Sequence, residues 1–249
     1  MLQTDRRGAV LLCTLDRPEK RNSLHPDLIR ELSNTLTQAG RDPSLSVVVL
    51  TGAGNTFCAG LDLTHLSSVE PHQAVDYLRS FFDLYRQVYE LAQPVIAAIN
   101  GPAIAGGFDI AAACDLRLCS PAASFAQTEL LLGLTPILYP VYQVVGLGRA
   151  KQLALTAEAI TAEEAYRIGL VNRVYPADEL LDQAMKLAGA LGAKPRQALQ
   201  ETKRLSREVI DMTTDVAIQR MFEAISERLR SDEHRREVEH YVARLKQRH

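Results

Sequence analysis

Three apolar runs of strand length, Val10–Leu15, Ser46–Thr51 and Val95–Asn100, set the main constraint on this 249-residue chain. The second, Ser-Val-Val-Val-Leu-Thr, is rich in β-branched residues and stops at Gly52. Such a run reads as a strand covered on both faces, because a strand with one face in water alternates apolar with polar. Helix-compatible segments separate the runs. Pro26 to Ala39 places Leu28, Ile29, Leu32 and Leu36 on one side, and Ala74 to Leu91 repeats the pattern through Leu78, Phe82, Tyr85 and Tyr89. Alternation of this kind implies an α/β architecture. Leu116–Cys119 and Ser124–Ala126 are short and strand-like, and a helix is expected to start just after Gly106-Gly107. From Arg149 onward Ala-rich amphipathic segments dominate: Lys151–Thr156, Thr161–Ile168, Ala177–Leu191, and Pro195 to the highly charged end. The expected organisation is an α/β core over residues 1–190 and a helical C-terminal region over residues 191–249.

Charge excludes some partners. Lys plus Arg number 28 against 30 Asp plus Glu, a net charge of −2, so no basic excess argues for nucleic acid or an anionic membrane. Any anionic ligand needs a local cluster. Cys13, Cys58, Cys114 and Cys119 form no Cys-x-x-Cys pair and sit in apolar surroundings, which predicts reduced core residues rather than metal ligands. No metal site is expected. The first residues carry charge but are followed by no signal-type apolar region, and Val10–Leu15 is too short to span a bilayer, so a cytoplasmic protein is expected. No Gly-x-Ser-x-Gly elbow is present. Gly106-Gly107 matches neither the dinucleotide fingerprint nor the phosphate loop. His65, four residues past Leu61, reads as a solvated loop residue.

Two segments carry the chemistry. Phe57-Cys-Ala-Gly-Leu-Asp-Leu follows the second strand, and Asn100-Gly-Pro-Ala-Ile-Ala-Gly-Gly-Phe-Asp-Ile follows the third. Strand, glycine turn, then helix leaves backbone N–H groups unpaired at a positive helix end. Two such groups converging on one oxygen make an oxyanion hole. Asp109 in the first helical turn and Glu129 after the short strand are candidate acid–base groups. Each feature also has a bland explanation. A glycine pair can serve tight helix–strand packing, an acid in a first turn offsets the dipole, and Glu129 could be a surface acid.

Taken in order, these segments resemble the crotonase superfamily, also called the enoyl-CoA hydratase/isomerase family. Arg17-Pro-Glu-Lys-Arg-Asn-Ser-Leu is like its R-P-x-x-x-N-x-L stretch, and Phe57-Cys-Ala-Gly-Leu-Asp-Leu is like its F-x-A-G-x-D. Asn100-Gly-Pro-Ala-Ile-Ala-Gly-Gly resembles N-G-x-x-x-G-G-G, and Ala113-Cys-Asp-Leu-Arg resembles A-C-D-x-R. Phe125-Ala-Gln-Thr-Glu with Leu131-Leu-Gly-Leu-Thr-Pro, and Glu163-Glu-Ala-Tyr-Arg-Ile-Gly-Leu-Val-Asn-Arg-Val, complete the series.

The resemblance implies a spiral of ββα units with a helical C-terminal trimerisation region, often a dimer of trimers. It implies an acyl-CoA thioester substrate (an acyl-carrier thioester is the alternative) and no metal or redox cofactor. By position, the N–H groups of Leu61 and Gly106 would form the oxyanion hole, and Glu129 and Asp109 would be the acid–base pair. Ala59, Lys20 and Arg21 would border the CoA. The activity implied is reversible hydration of a 2-enoyl thioester. A Δ3,Δ2-enoyl-CoA isomerase using one glutamate and a non-catalytic or RNA-binding relative are the alternatives. Four departures stand out: Asp109 for glutamate, Ala105 for the first glycine of the triple, Thr128 for proline, and Pro136-Ile-Leu-Tyr-Pro140 in place of a glycine-rich segment. The last is expected to reshape the acyl pocket through Tyr139 and Pro140, and its paired prolines look like members that handle branched acyl groups.

Overall fold

The computed structural model describes residues 1–246, so the last three residues of the expected C-terminal helical region lie outside it. The chain opens with an antiparallel hairpin, β1 (Leu2–Arg7) and β2 (Val10–Leu15), followed by α1 (Pro26–Arg41) and β3 (Val47–Gly52). Next come a short α2 (Leu63–Leu66), a long α3 (Pro71–Glu90), β4 (Val95–Ile99), β5 (Ala103–Ile104), α4 (Gly106–Ala113), β6 (Leu116–Cys119) and β7 (Ser124–Ala126). A 3₁₀ turn over Glu129–Leu132 leads to α5 (Val141–Val145), α6 (Leu147–Thr156), β8 (Ile160–Thr161), α7 (Ala162–Arg167) and β9 (Arg173–Val174). Four helices close the chain: α8 (Leu180–Gly192), α9 (Arg196–Glu208), α10 (Thr214–Leu229) and α11 (Asp232–Lys246).

The strands form two sheets. One runs β1-β2-β3-β4-β6-β9, parallel beyond the first hairpin, and the other runs β5-β7-β8. Successive strands β4, β5, β6 and β7 therefore alternate between the sheets, with α4 between the pairs, which is a spiral of ββα units. Side chains alternate faces along a strand. Leu11, Cys13, Val48, Leu50, Val95 and Ala97 join the core under α1, α3 and α4. Val10, Leu12, Val47, Val49, Ile96 and Ala98 face the other way, against Leu180, Ala184 and Ala188 of α8. Burial on both faces is why these strands are continuously apolar. The hairpin partner β1 (Leu-Gln-Thr-Asp-Arg-Arg) carries no such signal, because it is an exposed edge strand held by its register with β2.

The division expected at residue 190 falls just inside α8, which ends at Gly192 and packs on the large sheet. The helices beyond are tied back by Lys203. Its buried ammonium sits 2.6 Å from the Asp115 carboxylate and donates to the Gln93 carbonyl at 3.1 Å. Asp115 also accepts from the Val95 N–H at 2.7 Å. Two residues on, buried Arg117 has no carboxylate partner among the described residues. It donates to the carbonyls of Leu170 (2.6 Å), Ala112 and Cys114, closing the C-terminal end of α4. The Ala-Cys-Asp-Leu-Arg motif is thus structural. All four cysteines are free and buried, and burial pushes the Cys58 and Cys114 thiols up to about 12. No described helix is long and apolar enough to cross a membrane.

Candidate active site

The second sheet brings the two glycine turns together. Cys58 pairs with Ala103 as an isolated parallel bridge, and the Ile104 N–H donates to the Cys58 carbonyl at 3.0 Å. On the other side the Leu24 N–H donates to the Gly60 carbonyl (2.8 Å) and the Ala59 N–H to the Arg21 carbonyl (3.0 Å). Contact between the turns is close enough to require glycine. A Cβ on Gly60, whose φ is +86°, would lie 3.0 Å from the Gly106 nitrogen, and one on Gly107 would lie 2.1 Å from the Cys58 carbonyl oxygen. Backbone donors here are spoken for on either side. The Asp62 N–H donates to the Tyr77 hydroxyl at 2.8 Å, and the Ala105 N–H to the Ala126 carbonyl at 2.8 Å. The Leu61 and Gly106 N–H groups between them have no acceptor among the described residues. Gly106 also begins α4, whose positive end faces the same space.

Ala105 keeps the glycine backbone without being glycine, at φ +49° and ψ −125°. A side-chain-bearing residue held there stores about 1–3 kcal/mol. Ala105→Gly relieves that strain but loosens the unfolded chain by about 0.4–1 kcal/mol. The net expectation is a gain of about 1 kcal/mol, seen as a thermal midpoint about 2–4 °C higher. A lower midpoint in thermal denaturation would show that the turn is relaxed as it stands.

Both turns open on a cavity of about 210 Å³ walled by Ala59, Leu61, Gly106, Asp109 and Glu129 at one end and by Leu78, Phe81, Phe82, Leu132, Leu134 and Ile137 beyond. Asp109, in the first turn of α4, is 2% exposed. Gln127, fully buried, donates through Nε2 to Asp109 Oδ1 (3.3 Å) and to the Ile137 carbonyl (2.6 Å). Burial holds the Asp109 carboxyl well above the usual carboxylate range, and the neighbouring Glu129 charge pushes it further. Burial also raises Glu129, against its own backbone N–H, and Glu129 Oε2 has no partner among the described residues.

A buried ion pair supports the first turn. Arg17 Nη1 lies 3.0 Å from Asp62 Oδ2 and donates to the Ser23 carbonyl at 2.7 Å. Asn22 fills the turn beneath, accepting from the Arg17 N–H and donating to the Ala53 and Thr56 carbonyls. The R-P-x-x-x-N and A-G-x-D stretches, far apart in sequence, are thus two halves of one support. His65 is half-buried rather than solvated. Its N–H donates to Asp62 at 3.2 Å, and its ring packs edge-on against Tyr77 and His25.

The structure brings together Leu61, Gly106, Asp109, Glu129 and Ala59 around one cavity. Lys20 and Arg21 are exposed in the loop beside Ala59 and form no ion pair among the described residues. Tyr139 is not a wall of the cavity. Its hydroxyl pairs with that of Tyr89 at 2.8 Å, its carbonyl accepts from the Tyr85 hydroxyl, and its ring packs on Tyr89 and Tyr142. Ile137 is the wall, and Tyr139 clamps its loop to α3. Gln127 escaped the sequence reading, since one glutamine between a strand and a loop has no pattern. No described group of three or more His, Cys, Asp or Glu side chains could hold a metal ion.

Comparison with known proteins gives a consistent picture. The model of the enoyl-CoA hydratase/isomerase family matches residues 5–249. A crotonyl-CoA hydratase from Syntrophomonas wolfei is 35% identical over 87% of this chain and 83% of its own length. A short-chain-enoyl-CoA hydratase from Clostridium acetobutylicum is 34% identical over 90% of this chain and 87% of its own. Among solved structures, an enoyl-CoA hydratase from Bacillus anthracis superposes with a TM-score of 0.95 at 31% identity, covering 98% of this chain and 96% of that one.

Proposed function

The chain belongs to the enoyl-CoA hydratase/isomerase family, and on that premise we propose that it reversibly hydrates a 2-enoyl-CoA using Leu61, Gly106, Asp109 and Glu129. The observation that carries this reading is the convergence of two unpaired backbone N–H groups and two buried carboxyls on one apolar cavity. The thioester oxygen accepts from the Leu61 and Gly106 N–H groups. As water adds to C3 and a proton to C2, charge builds on that oxygen and both hydrogen bonds strengthen, so they favour the transition state over the substrate.

In hydration the water oxygen bonds to C3, its proton passes to the Asp109 carboxylate, and Glu129 gives its own proton to C2. Dehydration reverses each transfer. The pair therefore needs one proton in total in either direction. Burial and the Glu129 charge favour resting that proton on Asp109, the arrangement from which dehydration starts. The reaction so written takes acyl-CoA as substrate and calls for no metal or redox cofactor.

The CoA portion is assigned to the Ala59 turn, with Lys20 and Arg21 as phosphate contacts. Assembly as a homotrimer or homohexamer is supported by Val216, Ile218, Phe222 and Ile225, exposed apolar residues of α10 that a monomer leaves uncovered. Sedimentation velocity distinguishes the two, and a monomer would refute both. Free, buried cysteines fit a reducing cytoplasm.

One observation favours the isomerase reading, in which Glu129 alone shuttles a proton: Gln127 ties Asp109 back toward Ile137. Incubation with crotonyl-CoA and with a 3-enoyl-CoA, followed by mass spectrometry, separates the two. Hydration gives a product heavier by one water. A shifted double bond at unchanged mass, with no water added to crotonyl-CoA, would replace the hydratase by the isomerase.

A further inference from the structure

The cavity beyond the two carboxyls has a definite chemical character. Its far walls are Leu63, Leu78, Phe82, Leu132, Leu134 and Ile137, and no lysine, arginine or histidine among the described residues lines it. The polar side chains lining it are the two acids and the hydroxyls of Thr128 and Thr135. The buried cation of the supporting turn, Arg17, is committed to Asp62, and Lys20 and Arg21 stand in the exposed loop next to Ala59. The two free N–H groups are occupied by the thioester oxygen once substrate binds.

From these walls we propose that the site selects a neutral, apolar acyl chain and rejects one that ends in a second carboxylate. The inference rests on the thioester reading above for what enters the cavity. A terminal carboxylate carried into this space would gain no cation and would share about 210 Å³ with Asp109 and Glu129. A like charge held nearby disfavours the ionised form of a carboxyl, so the acid pair works against a second carboxylate. Two threonine hydroxyls are weak replacements for hydration, because strong recognition of a carboxylate uses charged donors in paired geometry. An uncharged chain meets the opposite situation, since every methylene it buries against leucine and phenylalanine is favourable.

A matched pair of ligands tests this on the whole chain. Calorimetric titration with hexanoyl-CoA and with the six-carbon mono-CoA thioester ending in a carboxylate compares binding with no reaction possible. The expected result is at least about tenfold tighter binding of hexanoyl-CoA. The corresponding 2-enoyl thioesters should show the same order in kcat/KM. Leu134→Arg, which sets a cation at the half-exposed rim, should narrow the ratio. Equal affinities, or preference for the charged ligand, would overturn the proposal. A retained binding ratio with no water added to either enoyl thioester would instead sink the hydratase reading and leave the selectivity standing.

Discussion

Glu129→Gln is expected to hydrate crotonyl-CoA about 10²–10⁴-fold more slowly than the unsubstituted chain, with KM little changed. Glutamine has the same length and nearly the same volume but no proton to give C2. The substitution is structurally mild, since Glu129 Oε2 has no partner to lose among the described residues, so the thermal midpoint should not fall. Asp109→Asn should lose hydration as well, because nothing then takes the proton of the attacking water. In the unsubstituted chain the rate should follow a bell in pH. It rises as the pair loses its first proton and falls as it loses the second, with both limbs above the ordinary carboxylate range because burial raises both groups. Full hydration by Glu129→Gln would remove Glu129 from the mechanism, and loss in Glu129→Gln alone, with Asp109→Asn active, would leave a one-base enzyme.

The same raised carboxyl makes Asp109→Asn a stability experiment with a fixed sign. A carboxyl whose folded pKa lies above its unfolded value favours the fold while neutral. That contribution is complete below the unfolded value and is lost as pH rises through the folded one. Asp109 is of this kind. An asparagine side chain cannot ionise, so the thermal midpoint of Asp109→Asn should gain on that of the unsubstituted chain as pH is raised from about 4 to 8. The more stable protein would be the inactive one, as expected where function requires a buried charge.

The residues that could be read from sequence are those whose environment is written in local pattern. β3 is buried on every residue, and its unbroken Val-Val-Val-Leu announces it. The apolar stripe on α3 shows where such reading fails. Leu78 and Phe82 fit the helical period, yet the face turned to the core is Tyr77, Phe81, Leu84, Tyr85 and Val88. Leu78 and Phe82 are partly exposed because they wall the cavity. A helix with one apolar face for the core and another for a ligand gives one broad stripe, and periodicity cannot divide it. The oxyanion pair was legible only by likeness to a family. Each glycine turn alone is ambiguous, and what joins them is the pairing of Cys58 with Ala103, a contact 45 residues apart in sequence with no local signature. Gln127 and the Tyr139 clamp depend on how loops fold back on α3 and α4, which no spacing encodes.

Gly107→Ala is expected to lower kcat/KM for crotonyl-CoA by about 10²–10³-fold through the oxyanion hole alone, although residue 107 touches no substrate atom in the proposed mechanism. The added methyl would sit 2.1 Å from the Cys58 carbonyl oxygen and 2.7 Å from its carbon. Those are backbone atoms held by the Ile104 N–H at 3.0 Å, so no side chain can swing away to make room. Relief requires the Phe57–Leu61 turn to retreat from α4. Gly60 already packs against the Gly106 nitrogen, so that retreat separates the Leu61 and Gly106 N–H groups. Losing one well-placed donor accounts for the expected rate loss, and overpacking of this kind costs about 1–3 kcal/mol of stability. Gly189→Ala supplies the control. It lies inside α8 with no atom within 4 Å of the new methyl, so it should keep full activity and gain up to about 1 kcal/mol. The measurement that separates geometry from global unfolding is kcat/KM taken well below each variant's thermal midpoint. Activity near that of the unsubstituted chain in a folded Gly107→Ala protein would mean that the two N–H groups need not converge, and the oxyanion assignment would fall with it.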